Sequence, residues 1–410
     1  MEFFQTLGDT LNHRWLEQGG NEEIFPALAA EALREFDAPS RLTCEEILHG
    51  ILQAETLPKQ IATEDQIPVT LYWSERFAIY ALIWVDGTTT IHDHSAWGAF
   101  QVVSGSSLHA RYTFEEKERI SAYTAVGDLK LAHLETLKAG DVREVQIGRS
   151  FIHSLFHLDR PSVTIAIFTK SPPHYASLYS YRKPGFAYVS RFEEQRLRRQ
   201  LIALEIVHQT RPEHYERAVT RFVAKWDSMY AYRALDQALS ILPEDAFERV
   251  VEATRVRHPR LTDLWREAFR EVRRQNNIKE RRAFVHDAEH RFFLAAVLNA
   301  PQREDVFRLV KERVPDRDPV DTIVKWVEDL AQVPIAGPAG PTAIGPPIDE
   351  AGLVVLRALL RGRDTGGVIE EMKAVFDARE VDAQVSDIVD LVNAFRESLF
   401  FAPLLPARAK

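Results

Sequence analysis

The chain has 410 residues, of which 45% are hydrophobic and 27% charged, a length that predicts two or three domains with a large buried core. A net charge of −9 argues against a nucleic-acid-binding protein, which would usually have a basic domain, and no apolar run approaches the length of a membrane span. The single cysteine, Cys44, excludes an intrachain disulfide and a cysteine-based metal site, and with no secretory signal at the start it predicts a cytoplasmic protein.

The N-terminal segment, residues 1–58, is predicted to be helical. Apolar residues recur at helical spacing through the first 36 residues. Thr43 followed by Glu46 is typical of a capping box, which indicates that a further helix begins there.

The region from about residue 59 to 185 is rich in β-branched and aromatic runs separated by glycine and proline. The predicted strands are Val69–Trp73, Phe77–Trp84, Thr89–His94, Ala99–Val103, Leu108–Thr113, Asp128–Glu135, Asp141–Gln146, Ser150–Leu158 and Ser162–Thr169. Many short strands with turn residues between them indicate a sandwich or barrel rather than a sheet of alternating strands and helices.

The remainder, residues 186–410, is predicted to be helical. The amphipathic stretches are Arg196–Val207, Tyr215–Leu242, Ala246–Val256, Leu261–Asn276, Lys279–Asn299 and Val320–Ala331, with about three more helices near the end. Proline and glycine cluster in 334–347, which predicts a linker or ordered loop. A faint repeat at an offset near 60, illustrated by Asp227 and Asp287, indicates either a duplicated helical unit or chance similarity between amphipathic helices.

A predicted strand carries His92, Asp93 and His94 in succession. Residues two apart in a strand share a face, so the two histidines should point the same way and the aspartate the opposite way. Two such imidazoles are candidate ligands for iron, copper, nickel or zinc, with ordinary hydrogen-bonded histidines as the alternative. About 50 residues later, a second segment runs from a glycine turn at Gly140 through a strand to His153.

These two segments resemble the two motifs of the cupin superfamily, and most closely those of its cysteine dioxygenase-like, or thiol dioxygenase, branch. The matching elements are His92-Asp93-His94, Trp97-Gly98, Gly105, Gly140, Ile152-His153 and Ser171-Pro172-Pro173. The resemblance covers about residues 60–182. It implies an α+β protein in which a cupin double-stranded β-helix (a jelly-roll barrel, 59–185) lies between the N-terminal helical segment and a large all-α C-terminal domain.

The resemblance implies one divalent metal ion on His92, His94 and His153. Most cupins add a glutamate ligand a few residues after the second histidine, where this chain has Gly98 and Ala99. A three-histidine site is therefore implied, as in the thiol dioxygenases. Fe(II) is the expected metal, with zinc, nickel, copper and manganese as alternatives. Three neutral ligands leave coordination positions open for an anionic substrate and O₂.

The chain departs from the cysteine dioxygenase pattern at three points. The Ser-His-Tyr set of the final barrel strand is replaced by Thr164, Ala166 and Phe168, and the first-strand stretch 67–72 contains no arginine to hold a substrate carboxylate. The only cysteine lies outside the barrel, which excludes the cysteine–tyrosine crosslink of part of the family. Oxidation of cysteine itself is not expected, because a buried carboxylate without a cationic partner costs several kcal/mol.

Two residues are candidate catalytic groups. Arg111, which shares a strand face with His109, would replace the missing cation, as Arg76 also could; a solvated surface charge is the alternative for each. His157 lies four residues after His153 and on the same strand face. As a functional residue, His157 would be a fourth metal ligand or a base. The alternative is a hydrogen-bonded residue inside the barrel.

The segment His286-Asp-Ala-Glu289-His290 spells the inverted zinc-protease signature. The flanking arginines and the lack of a preceding mixed sheet make a metalloprotease the weaker interpretation.

These features favour a mononuclear non-haem iron oxygenase that acts with O₂ on a small anionic substrate, with thiol-bearing molecules as one class. The alternative is a non-catalytic metal-binding cupin that acts as a small-molecule sensor or scaffold through its helical domain; isomerase or lyase chemistry is a further option. The expected partners are the substrate, O₂ and a second copy of the chain bound through the helical domain, without nucleic acid or membrane.

Overall fold

The computed structural model describes residues 2–60, 68–170, 178–192, 194–333 and 344–405. The predicted Ser171-Pro172-Pro173 element and most of the predicted 334–347 linker lie outside these residues. The chain divides into two compact units, Met1–Arg273 and Arg274–Lys410. The predicted boundary between barrel and helical domain, at residue 185, falls within the first unit, and the three-part division stays a prediction.

The strands lie in the first unit. They are β1 (Val69–Trp73), β2 (Phe77–Trp84), β3 (Ile91–His94), β4 (Gly98–Ser104), β5 (Ser106–Arg119), β6 (Thr124–Lys138), β7 (Val142–Val145), β8 (Gly148–His157), β9 (Ser162–Thr169), β10 (Tyr179–Arg182) and β11 (Phe186–Val189). The nine predicted strands are confirmed, although β5 and β6 form a longer hairpin than expected. The prediction did not include β10 and β11.

These strands form two antiparallel sheets. The first has the order β1-β2-β9-β4-β7, and the second runs β10-β11-β6-β5-β8-β3 and closes into a barrel because β10 pairs back onto β3. Together with the helices before and after the strands, this arrangement confirms the predicted class: an α+β fold with a jelly-roll barrel, a helical N-terminal segment and helices throughout the C-terminal half.

The N-terminal helices pack on the outer face of the five-stranded sheet. They are α1 (Glu2–Glu17), α2 (Phe25–Phe36), α3 (Ala38–Arg41) and α4 (Cys44–Gln53). The predicted capping box is confirmed, since the Thr43 side chain accepts from the Glu46 N–H and the Glu46 carboxylate accepts from the Thr43 N–H. Trp15 and Phe25 from the helices share one apolar core with Phe77 of β2.

Strand alternation divides the apolar residues of β9 between two cores. Ile165 and Ile167 face the helices and belong to the same core as Trp15. Ala166 belongs to a second core between the two sheets, which also contains Phe100, and Phe168 packs against it. The inner face of the five-stranded sheet is therefore apolar where it faces the second sheet.

Five helices complete the first unit, the last of which crosses its boundary. They are α5 (Gln195–Thr210), α6 (Tyr215–Val223), α7 (Ser228–Leu239), α8 (Glu244–Ala253) and α9 (Thr262–Phe284), with short 3₁₀ turns at Pro212–His214 and Thr254–Val256. Phe186 of β11 lies 4.8 Å from the ring centroid of Tyr232 and 5.8 Å from that of Trp265. The unpredicted strand β11 thus gives these helices an apolar surface on which to pack.

The second unit is helical where it is described. Its helices are α10 (Ala288–Asn299), α11 (Arg303–Arg313), α12 (Pro319–Ala331), α13 (Glu350–Leu360), α14 (Thr365–Lys373), α15 (Ala378–Ala383) and α16 (Val385–Glu397). The expected break near residue 277 is wrong, because α9 runs on to Phe284 and the break comes where Asp287 caps α10. Within the described ranges, no helix combines the length and apolar character needed to span a bilayer.

The faint sequence repeat coincides with repeated helical structure. Asp227 caps α7 and Asp287 caps α10, each by accepting from the two N–H groups of the next turn. Phe247 is the fourth residue of α8 and Phe307 the fifth of α11. The two aspartates and the two phenylalanines therefore lie at similar places in two successive helix triplets, α7–α9 and α10–α12. The predicted long helix 215–242 is in fact two helices, α6 and α7, because Asp227 caps the start of α7.

Gly98 is required where β4 passes β9, and we expect Gly98→Ala to lower the free energy of unfolding by about 1–3 kcal/mol. An added β-carbon would lie 2.0 Å from the Ile167 carbonyl oxygen and 2.6 Å from Phe168 Cδ1. Gly50→Ala in α4 is the matched control, since no atom lies within 4 Å of the added carbon and alanine favours the helix. Urea unfolding of both variants measures the difference, and equal stabilities would contradict this account.

Candidate metal centre

Strand β3 presents His92 and His94 on the opposite face from Asp93, as predicted. The Asp93 carboxylate accepts hydrogen bonds from the Tyr179 N–H at 2.7 Å and the Tyr181 hydroxyl at 2.9 Å, both in β10. Burial raises the pKa of the Asp93 carboxyl to about 6. Asp93 therefore links β3 to β10 where the barrel closes. The side chains of His92 and His94 point the other way, into the space between the two sheets.

The structure brings His153 to this pair. In the β3–β8 register, His153 lies directly opposite His92. The ring centroid of His153 is 4.7 Å from that of His92 and 4.9 Å from that of His94. The potential ligand nitrogens of all three lie within 4.8 Å of one another, and within the described ranges no other group of three or more histidine, cysteine or carboxylate side chains meets in this way.

The spacing and protonation of these histidines fit a divalent transition-metal ion. The Nε2 atoms of His94 and His153 are 2.9 Å apart. Two imidazole nitrogens that bind one ion at right angles, each about 2.1 Å from it, would lie about 3 Å apart. Burial lowers the pKa of His92, and lowers those of His94 and His153 well below the ordinary value. All three rings are thus neutral at pH 7, the form that binds metal.

Hydrogen bonds on the far side of two rings orient them. His92 Nδ1 lies 2.8 Å from the Thr90 carbonyl oxygen, which can only accept, so Nδ1 carries the proton and Nε2 keeps its lone pair. His153 Nδ1 lies 3.1 Å from His109 Nε2, and His109 Nδ1 lies 3.0 Å from Glu135 Oε1. Behind the metal centre, His153 is therefore hydrogen-bonded to the buried His109, and His109 in turn to the Glu135 carboxylate.

Sequence reasoning missed Glu135 and its partner Arg143. Arg143 of β7 donates from Nε at 2.9 Å and from Nη2 at 2.5 Å to the two oxygens of Glu135. The hydrogen bond from His109, together with Arg143, holds the pKa of Glu135 well below its usual range. The β5–β6 register sets His109 opposite Glu135. The sequence does not specify that register, so it could not reveal the contact between His109 and Glu135.

Three aromatic rings surround the histidines. Phe168 stacks on His94 with ring centroids 5.5 Å apart. Phe151 and Phe100 lie 4.8 and 6.1 Å from the His153 centroid. The inner face of β9 thus presents the apolar ring of Phe168 to His94.

Arg111 is the cation that the structure places beside the three histidines. It is paired with His153 across β5 and β8, so their side chains project from the same face. Its guanidinium lies 3.9 Å from the Phe151 ring centroid, and its Nη2 donates to the Ser150 carbonyl oxygen at 3.3 Å. Its buried Nε has no hydrogen-bond partner among the described residues. The other candidate, Arg76, lies 5.9 Å from the ring centroid of Trp15 in α1.

His157 is held away from the three-histidine group. Its Nδ1 lies 2.8 Å from Ser107 Oγ, and its ring stacks on Trp84 with centroids 4.5 Å apart. Four residues of strand separate it from His153 by about 13 Å. These contacts favour the hydrogen-bonded interior role, and a catalytic role for His157 stays a prediction.

The protease-like signature does not form a site. His286 precedes the cap of α10, so it does not share a helix with His290, as a pair of zinc ligands at this spacing would require. The His290 ring nitrogens lie 3.3 Å from Asp287 and 3.4 Å from Asp329. The ring of His290 therefore lies between two carboxylates of the helical region.

Comparison with known proteins gives similarity only at the level of fold. No protein-family model matches the sequence, and no curated protein matches it. An uncharacterised conserved protein with a double-stranded β-helix domain from Klebsiella pneumoniae subsp. pneumoniae is 12% identical, with a TM-score of 0.20 over 34% of this chain and 100% of that chain. An RmlC-like cupin from Shewanella frigidimarina is 14% identical, with a TM-score of 0.20 over 30% of this chain and 92% of that chain.

Oxalate oxidase in complex with the substrate analogue glycolate is 16% identical, with a TM-score of 0.18 over 28% of this chain and 46% of that chain. Such weak similarities do not bear on activity. The strand order and the closed barrel themselves define a protein with a cupin fold, whose candidate metal centre consists of three histidines.

We expect His153→Ala to abolish stoichiometric metal binding, because two imidazoles remain where three are needed to hold the ion. His157→Gln should retain it, since His157 lies outside the group. Metal content after reconstitution with Fe(II) or Co(II) measures the difference, and wild-type protein should gain about 2.7 kcal/mol of stability at a free metal concentration 100 times Kd. Retention of one metal ion per chain by His153→Ala would contradict the assignment.

Proposed function

We propose that this protein is a mononuclear non-haem iron oxygenase that acts with O₂ on a small anionic substrate. The observation that carries the proposal is the combination of three converging neutral histidines with a cationic side chain on the same face of the adjacent strand. A site of this composition suits Fe(II), because imidazole is a good iron ligand and three protein ligands leave positions free.

Bound Fe(II) would supply Lewis acidity and one-electron chemistry with O₂. The protein residues bind and orient the reactants. His92, His94 and His153 hold one side of the ion, so the substrate approaches from the other side. Phe100, Phe151 and Phe168 cover the His94 and His153 rings, which limits access of water on that side and strengthens electrostatic interactions there.

Arg111 would bind the anionic group of the substrate. The Arg111 side chain is only partly buried, and its guanidinium makes one long hydrogen bond, to the Ser150 carbonyl oxygen, so N–H groups remain that can donate to a substrate carboxylate. A thiol on the same small molecule would complete the coordination of iron, for which thiolate is a suitable ligand. Small thiol carboxylates are therefore the first substrates to test.

One observation favours a second function, that of a metal-dependent binding protein without turnover. The inner positions of β9 are Thr164, Ala166 and Phe168, and neither alanine nor phenylalanine can transfer a proton. In that case the bound small molecule would act as a signal that is passed on through the helical region. Metal content and substrate-dependent O₂ uptake distinguish the two, because a binding protein would take up iron and ligand without consuming O₂.

Arg111→Ala should raise KM for carboxylate-bearing substrates at least about 10-fold, because a charge-assisted hydrogen bond contributes about 1.5–3 kcal/mol. Arg76→Ala is the matched control and should leave KM unchanged, since Arg76 packs on Trp15. O₂ consumption by the iron-loaded variants, measured against a panel of thiol carboxylates and their uncharged amides, gives both values. An equal KM for acid and amide in the wild-type protein would contradict the role of Arg111.

A further inference from the structure

We propose that His109 and Glu135 are positioning residues, which fix the tautomer and orientation of His153 so that its Nε2 lone pair points at the metal position. The inference rests on the three-histidine metal centre, but it does not depend on the reaction proposed above. It assigns a role to two side chains that lie on strands without any metal ligand, β5 and β6.

The direction of the hydrogen bonds follows from the carboxylate. Glu135 holds its charge because it is paired with Arg143, so its Oε1 can only accept, and His109 Nδ1 must carry the proton that lies in their 3.0 Å contact. His153 Nε2 faces His94 Nε2 at 2.9 Å on the metal side, so the proton in the contact with His109 belongs to His153, and His109 Nε2 presents its lone pair. That lone pair accepts from His153 Nδ1 over 3.1 Å, which places the proton of His153 on Nδ1 and leaves Nε2 free.

The contacts leave His109 no alternative partner. Its side chain is fully buried, with 0% exposure, and both ring nitrogens are used. Its ring is nearly perpendicular to that of His153, at an angle of 84° and with centroids 5.2 Å apart, and its Nε2 faces His153 Nδ1 across 3.1 Å. A wrong tautomer of His153 would leave a buried polar atom without its partner, which is costly.

Glu135 is itself anchored from the opposite sheet. Arg143 lies on β7, in the five-stranded sheet, whereas Glu135 lies on β6, in the barrel sheet. The bidentate contact therefore connects the two sheets and fixes the carboxylate at the edge of the barrel, where 22% of its side chain is exposed. The position of His109, and through it that of His153, is thus defined by both sheets.

Groups that orient a ligand histidine from behind typically change metal affinity by 10- to 100-fold when they are removed. Glu135→Gln should weaken binding of Co(II) by about 10-fold, because an amide cannot both accept from His109 and keep the two bonds from Arg143. His109→Phe, which preserves the ring and removes both nitrogens, should weaken it by up to about 100-fold.

Glu116→Gln is the matched control. Like Glu135, Glu116 is a carboxylate of the β5–β6 hairpin with 22% exposure, and it pairs with two arginines, Arg119 and Arg149. Glu116→Gln should lower the melting temperature about as much as Glu135→Gln does, but it should change the Kd for Co(II) less than 2-fold. The comparison separates positioning of His153 from a general effect of removing a partly buried ion pair.

The experiment measures Kd for Co(II) by its visible absorption in the full chain, without O₂ or substrate, together with the melting temperature of each metal-free variant. Imidazole ¹H–¹⁵N correlation spectra of the zinc-loaded wild-type protein give a second readout that needs no variant to fold. We expect Nδ1–H tautomers for His109 and His153, and a weaker Kd for Glu135→Gln than for Glu116→Gln.

Equal Kd values for these two variants, or an Nε2–H tautomer of His109, would overturn the inference. Failure to find oxygenase activity would affect only the proposed function, since the metal affinity and the tautomers are measured in its absence.

Discussion

The pairing of the short strand β3 with β8 is the constraint on which the metal centre depends. His92 and His153 are opposite residues of this pair, so their side chains meet on one face of the barrel sheet. The register then slips, since an advance of two positions along β3, from His92 to His94, corresponds to five positions along β8, from His153 to Gly148. Such irregularities are common beside functional sites. A regular ladder would have left His94 opposite a different part of β8.

The environment of the three imidazoles is apolar except on one side. Phe100, Phe151 and Phe168 cover two of the rings, and burial lowers the pKa of all three histidines, so the site offers three neutral ligands without any protein charge on the ion. Arg111 and the Glu135–Arg143 pair place charge at defined places around this apolar interior. Because electrostatic interactions are stronger away from water, one unpaired guanidinium donor there has a larger effect on an anionic ligand than a surface arginine would.

The helices support the barrel from two directions within the first unit. Those before the barrel cover the outer face of the five-stranded sheet, and those after it pack on β11 through Phe186 and Tyr188. Each face of β9 is therefore buried, one against helices and the other against the histidines, which explains its almost continuous apolar sequence. The helix triplets that follow repeat one plan, in which an aspartate caps the first helix of each triplet.

The sequence alone determined nine of the strands, their turns and the shared face of His92 and His94, because alternation along a strand and glycine turns are local properties. His153 was added to this pair by the resemblance to the cupin motifs. The sequence also determined the N-terminal capping box and the position of Asp93 on the opposite face. Only the tertiary structure decided which strands pair and in what register, and therefore that Arg111 lies beside His153 while His109 meets Glu135. These contacts join residues 26 to 44 positions apart in the sequence, and their partners are set by the β5–β6 and β5–β8 registers. The strands β10 and β11 were not predicted because four-residue segments gain their stability from tertiary packing and not from local propensity.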